Sequence, residues 1–219
     1  MAEFERIAEG VVAGAAEEVG RRVAAALAAG APAQEILERG LIAGMAVIGA
    51  RFRDNEIFVP EVLVAARAMQ AGLELLEPVF SARGIEPVGT VVLGTVRGDI
   101  HDIGKNLVAM LLRGAGFRVL DLGVNVPTQA FLDAVVQHRA ELVGMSALLT
   151  TTMGQMRLTI AAIRAAGLPV RVLVGGAPVS AEFAAEIGAD GYGASAPDAV
   201  EQALRLLREP ATPPRPGGA

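Results

Sequence analysis

An α/β architecture is expected from this sequence, with an N-terminal four-helix bundle followed by a doubly wound domain built on a five-stranded parallel sheet. Up to about residue 84, apolar residues recur only at helical spacing. From Val88 onward, short apolar runs alternate with amphipathic ones five times over, the signature of strand–helix units in a parallel sheet. Between the two patterns, Glu77 to Val88 holds two prolines and Gly84, a composition that suits a linker.

Within the first part, Phe4, Ile7, Val11 and Val12 share one helical face, and a second run from Gly20 to Ala29 ends at Gly30. Pro32 suits a first helical position, and Ile36, Leu37, Leu41, Met45 and Ile48 continue as a stripe. Arg53-Asp54-Asn55-Glu56 interrupts as a polar turn before Phe58-Val59-Pro60 restarts a helix through Leu63, Met69 and Leu73 to Leu76. Four helices with short connections make a small bundle. In the second part the expected strands are 88–95, 117–122, 142–147, 170–174 and 190–192. The expected helices are 104–114, 128–138, 152–166, 180–187 and 197–207. Domain bounds of 1–84 and 88–208 follow, with 209–219, four prolines and two glycines among them, expected to be disordered. A Rossmann- or flavodoxin-like strand order of 2-1-3-4-5 sets the loops after strands one and three on either side of the switch point.

Composition narrows the function. At 53% hydrophobic residues the chain can fill a core, and the absence of cysteine removes disulfides, iron–sulfur clusters and thiolate metal sites. A net charge of −5 leaves no basic footprint for nucleic acid. No signal-peptide pattern and no apolar stretch of membrane-spanning length is visible, so no membrane association and a cytoplasmic location are expected. No Gly-x-Gly-x-x-Gly follows the first strand, which argues against a dinucleotide enzyme. The third strand ends in Ser146, where a phosphoacceptor receiver would carry aspartate.

The chemistry concentrates in Gly98-Asp99-Ile100-His101-Asp102-Ile103-Gly104-Lys105-Asn106, between the first strand and its helix. His101 is one of two histidines in the chain. A neutral imidazole is a good transition-metal ligand whose other nitrogen needs an acceptor, and Asp99 is placed to supply it. Asp102 is placed to cap the following helix by accepting a backbone N–H. Gly98 and Gly104 keep bulk away from the loop. Equally, the loop could be only a capped helix start whose histidine hydrogen-bonds at a strand end. In the third loop, Ser146-Ala147-Leu148-Leu149-Thr150-Thr151-Thr152 offers hydroxyls opposite His101, with Thr151 favoured as a helix cap.

The nine-residue string resembles the cobalamin-binding loop Asp-x-His-x-x-Gly of corrinoid proteins. It is most similar to the cobalamin module of methionine synthase and to the small corrinoid proteins of methyltransferase systems. The resemblance covers roughly residues 30 to 208 and implies a set of roles. His101 becomes the lower axial ligand of cobalt, with Asp99 and Thr152 as its relay; the family residue at the second relay position is serine. Gly98, Asp99, Ile100, His101, Asp102, Ile103 and Gly104 form the loop beneath the corrin. Ser146, Leu148 and Thr150 line the pocket for the cofactor's nucleotide tail. Gly175 and Gly176, ending the fourth strand, leave space for its benzimidazole, although a tight strand–helix turn would need them too. Ala194 belongs to the final contact region. In the helical half, Phe52 and Val59 match the apolar residues that cap the upper face of methylcobalamin, and Glu38 matches an acidic residue near the cofactor. Met45 and Met69 are read as bundle core.

The resemblance implies a non-catalytic corrinoid methyl carrier. Its cobalamin would take a methyl group on Co(I) from a methylated substrate through one methyltransferase. A second methyltransferase would pass it to tetrahydrofolate or a thiol, with a reductive activase as a further partner. The alternatives are a cobalamin-binding subunit of a radical mutase, which would lack the helical cap, and a cobalamin-dependent regulator, which would carry a basic DNA-binding helix-turn-helix. The methyl donor is left open.

Overall fold

The computed structural model describes residues 2–54, 56–83 and 87–208. Residues 209–219 and most of the segment around Gly84 lie outside the described residues, and so do the expectations attached to them. The chain divides into two compact units. One comprises residues up to Val88 with Met110–Gly116, the other Gly89–Ala109 with the chain from Phe117 onward.

The first unit is helical. Helix α1 (Ala2–Val12) buries Ile7 and Val11, and α2 (Ala16–Ala28) buries Val19, Val23 and Ala26. Helix α3 spans 33–53 as a continuous run in which Ala33–Glu35 and Ala43–Arg53 are α-helical and Ile36–Ile42 is a π-helical insert. Helix α4 (Val59–Arg83) contains Pro78 and extends beyond Leu76 into the segment expected to be linker. A proline inside a helix forfeits one hydrogen bond, which water can replace where the residue is exposed, as Pro78 is. The stripe read from the sequence closes the bundle: Ile36, Leu41, Met45, Ile48 and Met69 are all buried. Phe52 and Val59 are partly exposed and stand outside that core.

The second unit is a five-stranded parallel sheet in the order β2-β1-β3-β4-β5, as expected for a doubly wound domain. Its strands are β1 (Thr90–Thr95), β2 (Arg118–Asp121), β3 (Leu142–Ser146), β4 (Arg171–Gly175) and β5 (Gly191–Gly193). Central β1 is buried at every position, because helices cover both faces of a parallel sheet. The helices are α5 (Ile103–Gly114), α6 (Thr128–His138), α7 (Gly154–Ala165), α8 (Ala181–Glu186) and α9 (Ala196–Arg208). Val92, Val143, Val172 and Val174 from the strands pack with Phe131, Met156, Ile160 and Ile163 in one core. Thr95 of β1 pairs with Ser146 of β3, and Ser146 in turn with Gly175 of β4. That register brings the loops after three strands to one edge of the sheet, where ligands of such folds bind.

Candidate functional site

The loop after β1 is shaped by its own residues. Gly98 sits at φ +82, and the following turn closes with the Asp99 N–H donating to the Val96 carbonyl. The Thr95 hydroxyl donates to the His101 carbonyl at 2.8 Å, tying the histidine back to the strand end. Asp102 departs from its expected part. Its carbonyl takes the Asn106 N–H, so the helix begins by main-chain bonding, and its carboxylate takes the Asn106 side-chain amide at 3.0 Å. Thr151 is not a cap either: the residue before α7 is Met153, and no side chain caps that helix.

Asp99 is the hub of the site, with its side chain wholly buried. Its Oδ1 lies 2.7 Å from His101 Nδ1 and accepts the His101 N–H at 3.1 Å. Its Oδ2 accepts the N–H of Leu148 at 2.8 Å and of Leu149 at 3.2 Å. The Thr152 hydroxyl lies 2.8 Å from that oxygen and 2.8 Å from the Leu149 carbonyl, one proton serving two acceptors. Burial alone would push the Asp99 carboxyl up. It is outweighed by the hydrogen bonds from Leu148, the His101 ring, the His101 N–H and Thr152, which hold the group well below the usual carboxylate range. An ionised Asp99 next to Nδ1 fixes the proton there, leaving the Nε2 lone pair available. The histidine side chain itself is 45% exposed.

The two loops that meet at Asp99 expose several large apolar side chains. Ile100 and Ile103 are each 74% exposed, and Leu148 and Leu149 each 42%. Two exposed isoleucines flanking one histidine are costly in water and mark a face that meets a ligand. Ser146 ends β3 half-buried, Thr150 is exposed, and Thr152 is buried. At the end of β4, Gly176 has φ +127, and a Cβ there would lie 1.9 Å from the Ala147 carbonyl oxygen. A Cβ on Gly175 would lie 2.9 Å from the Gly193 carbonyl oxygen, so close backbone approach already requires both glycines. The Ala194 N–H donates to Asp198 at 2.8 Å, within the capped start of α9.

The structure therefore brings Asp99, His101, Leu148 and Thr152 into direct contact. Glu38, Phe52 and Val59 belong to the helical unit, where Glu38 lies in the π-helical insert and accepts the Gln34 amide at 2.6 Å. Sequence reasoning overlooked several residues. Lys105, its side chain 2% exposed, donates from Nζ to Asn106 and to both carboxylate oxygens of Asp121. Asn125, at φ +53, bonds to Gly98 and Asp99. A lone Asn between Val124 and Val126 was the available signal, since asparagine tolerates positive φ.

Family models described as B12 binding domain match residues 89–201 and, separately, residues 3–77. Trimethylamine corrinoid protein 1 of Methanosarcina mazei is 42% identical over 196 residues, covering 87% of this chain and 91% of that protein. Among solved structures, the methanol:cobalamin methyltransferase complex MtaBC from Methanosarcina barkeri matches with a TM-score of 0.85 at 31% identity. That match covers 96% of this chain and 81% of the other. A cobalamin-binding protein from Desulfitobacterium hafniense matches with a TM-score of 0.77 at 31% identity, covering 94% and 99% of the two chains. With two B12-binding regions and relatives that share nearly its whole length, the chain belongs to the corrinoid proteins of methyltransferase systems.

Proposed function

We propose that this chain carries a methyl group between two methyltransferases. One would load it from a methylated donor of the methylamine type, and the other would unload it to tetrahydrofolate or a thiol. The first assignment draws on the trimethylamine corrinoid relative. A reductive activase would restore cofactor that has lost its reduced state, and the exchange would take place in the cytoplasm.

The observation that supports this reading is a half-exposed imidazole whose Nδ1 is held by a buried, ionised Asp99. The residues present fit a corrinoid: a nitrogen donor on a half-exposed imidazole is accompanied by exposed Ile100 and Ile103 in its own loop and by exposed Leu148, whose N–H holds Asp99. Bound there, the corrinoid supplies the cobalt nucleophile that accepts and gives up the methyl group. His101 would hold the cobalt through Nε2, and Asp99 keeps its tautomer. Thr152 and the Leu148 and Leu149 amides keep Asp99 charged. Ser146, Leu148, Thr150, Gly175, Gly176 and Ala194 are assigned to the nucleotide tail, and Glu38, Phe52 and Val59 to the cover of the opposite face.

Loading tests the proposal. The purified chain is reconstituted with cobalamin, reduced, and mixed with a candidate methyltransferase and trimethylamine, dimethylamine, monomethylamine or methanol in turn. Uptake of one methyl group per chain from one donor is expected. A protein that ignores every donor and retains adenosylcobalamin in preference to methylcobalamin would instead be a mutase subunit.

A further inference from the structure

The histidine loop is braced from a second loop, the segment 122–127 between β2 and α6, and one side chain there stands apart. The Asn125 N–H donates to the Asp99 carbonyl at 2.8 Å, and its Oδ1 accepts the Gly98 N–H at 2.8 Å. One residue thus grips two peptides of the loop ahead of His101. Downstream of the histidine, Lys105 is bound to Asp121, which also accepts the Gly123 N–H at 2.9 Å. The Gly123 carbonyl accepts the Thr95 N–H at 3.0 Å, and the Val126 N–H donates to the Thr95 carbonyl at 2.9 Å. The segment is therefore bonded to the end of β1 and to residues on both sides of the ligand loop. Three of these six contacts are main-chain on both sides and survive substitution, and the two made by Asp121 do not touch the peptides ahead of His101. The Asn125 carboxamide is the side chain that reaches the loop ahead of His101, and φ +53 restricts the position to the few residues that tolerate it.

We infer that Asn125 is a positioning residue for His101, holding Gly98 and Asp99 so that the imidazole stands ready for a metal before one arrives. This rests on the reading of His101 as the cobalt ligand. The Asp99 carboxylate is fixed from the third loop by Leu148, Leu149 and Thr152, while its peptide is fixed from the second loop by Asn125. Without the second anchor the carboxylate would stay in place, but the chain around it would sample other conformers. Apparent affinity then falls by the fraction of time the loop is competent.

Asn125→Gly tests this, because glycine keeps positive φ and the N–H bond to Asp99 while deleting the acceptor for Gly98. Asn125→Asp restores an acceptor oxygen. The readouts are the dissociation constant for aquocobinamide, a corrinoid without its own lower base, and the histidine-nitrogen splitting in the electron paramagnetic resonance spectrum of the Co(II)-loaded protein. Losing one such hydrogen bond predicts about fivefold weaker cobinamide binding in Asn125→Gly. A larger share of cobalt should also lack the nitrogen splitting, and Asn125→Asp should return both readouts close to wild type. Wild-type values in Asn125→Gly, even with a lowered melting temperature, would reduce Asn125 to a structural residue and overturn the inference. Equal losses in the glycine and aspartate variants would do so as well. If wild-type protein itself shows no histidine splitting, the ligand reading fails first, and this inference falls with it.

Discussion

Thr152→Val isolates one strand of the network behind His101. Valine keeps the branched shape and the γ-methyl that faces Gly98 while deleting the hydroxyl, and Thr152 is only 6% exposed. The lost bond runs to an ionised, buried carboxylate, a class that contributes about 1.5–3 kcal/mol. Two features reduce that figure. The hydroxyl proton is shared with the Leu149 carbonyl, and Asp99 Oδ2 keeps the Leu148 N–H at 2.8 Å and the Leu149 N–H at 3.2 Å. The expected loss is therefore about 1–1.5 kcal/mol, a change of roughly tenfold in the folding equilibrium. Urea denaturation of the apoprotein at pH 7 measures it as a lower midpoint at unchanged slope. Thr152→Ser, which restores the hydroxyl, should recover most of the loss and at the same time test whether the serine of related proteins is interchangeable here. A valine variant as stable as wild type, or a serine variant no better than valine, would refute the reasoning.

Two further perturbations probe the same edge of the sheet. Asp99 is held below its ordinary range, so its ionisation stabilises the fold at pH values above the unfolded pKa of about 3.9, and that contribution is lost as pH falls below it. Asp99→Asn should therefore be clearly less stable than wild type at pH 7, with the gap narrowing below about pH 4. A gap independent of pH in urea titrations would contradict an ionised Asp99. Gly176→Ala places a Cβ 1.9 Å from a backbone oxygen at φ +127, so the fourth loop must move. A loss of about 3 kcal/mol or more in thermal or urea unfolding is expected, and a neutral effect would show that the glycine is not required by packing.

Much of this molecule could be read from its residues because the signals are local. The apolar run ending at Thr95 and the glycines around the loop announce a strand and a turn without reference to anything distant, whereas a ligand role for the histidine came only with the family resemblance. Strand order followed from the doubly wound pattern, and it alone put the loop of Thr152 opposite that of His101. Thr152 was reachable only through family resemblance; its distance of 2.8 Å to Asp99 depends on the register between β1 and β3. What stayed hidden is set by registers that no local pattern encodes. Thr90 pairs with Arg118, and that pairing carries the 121–125 segment alongside the histidine loop, where Lys105 finds Asp121 and Asn125 finds Gly98. Pro78 and Gly84 suggested a linker by composition, yet α4 runs to Arg83, because an exposed proline leaves the rest of its helix free to continue. Asp102 illustrates the same limit at short range: its carboxylate takes the Asn106 side-chain amide instead of a backbone N–H of the first helical turn.

The most direct measurement concerns the atom beneath the cobalt. The chain has two histidines, so protein grown with ¹⁵N-histidine, loaded with cobalamin and reduced to Co(II), carries the label at only two side chains. With His101 as lower ligand, each line of the electron paramagnetic resonance spectrum should change from the triplet of ¹⁴N to the doublet of ¹⁵N, and His101→Ala should abolish the change. A triplet unaffected by the label would mean that another base lies under the metal and that His101 is not the ligand.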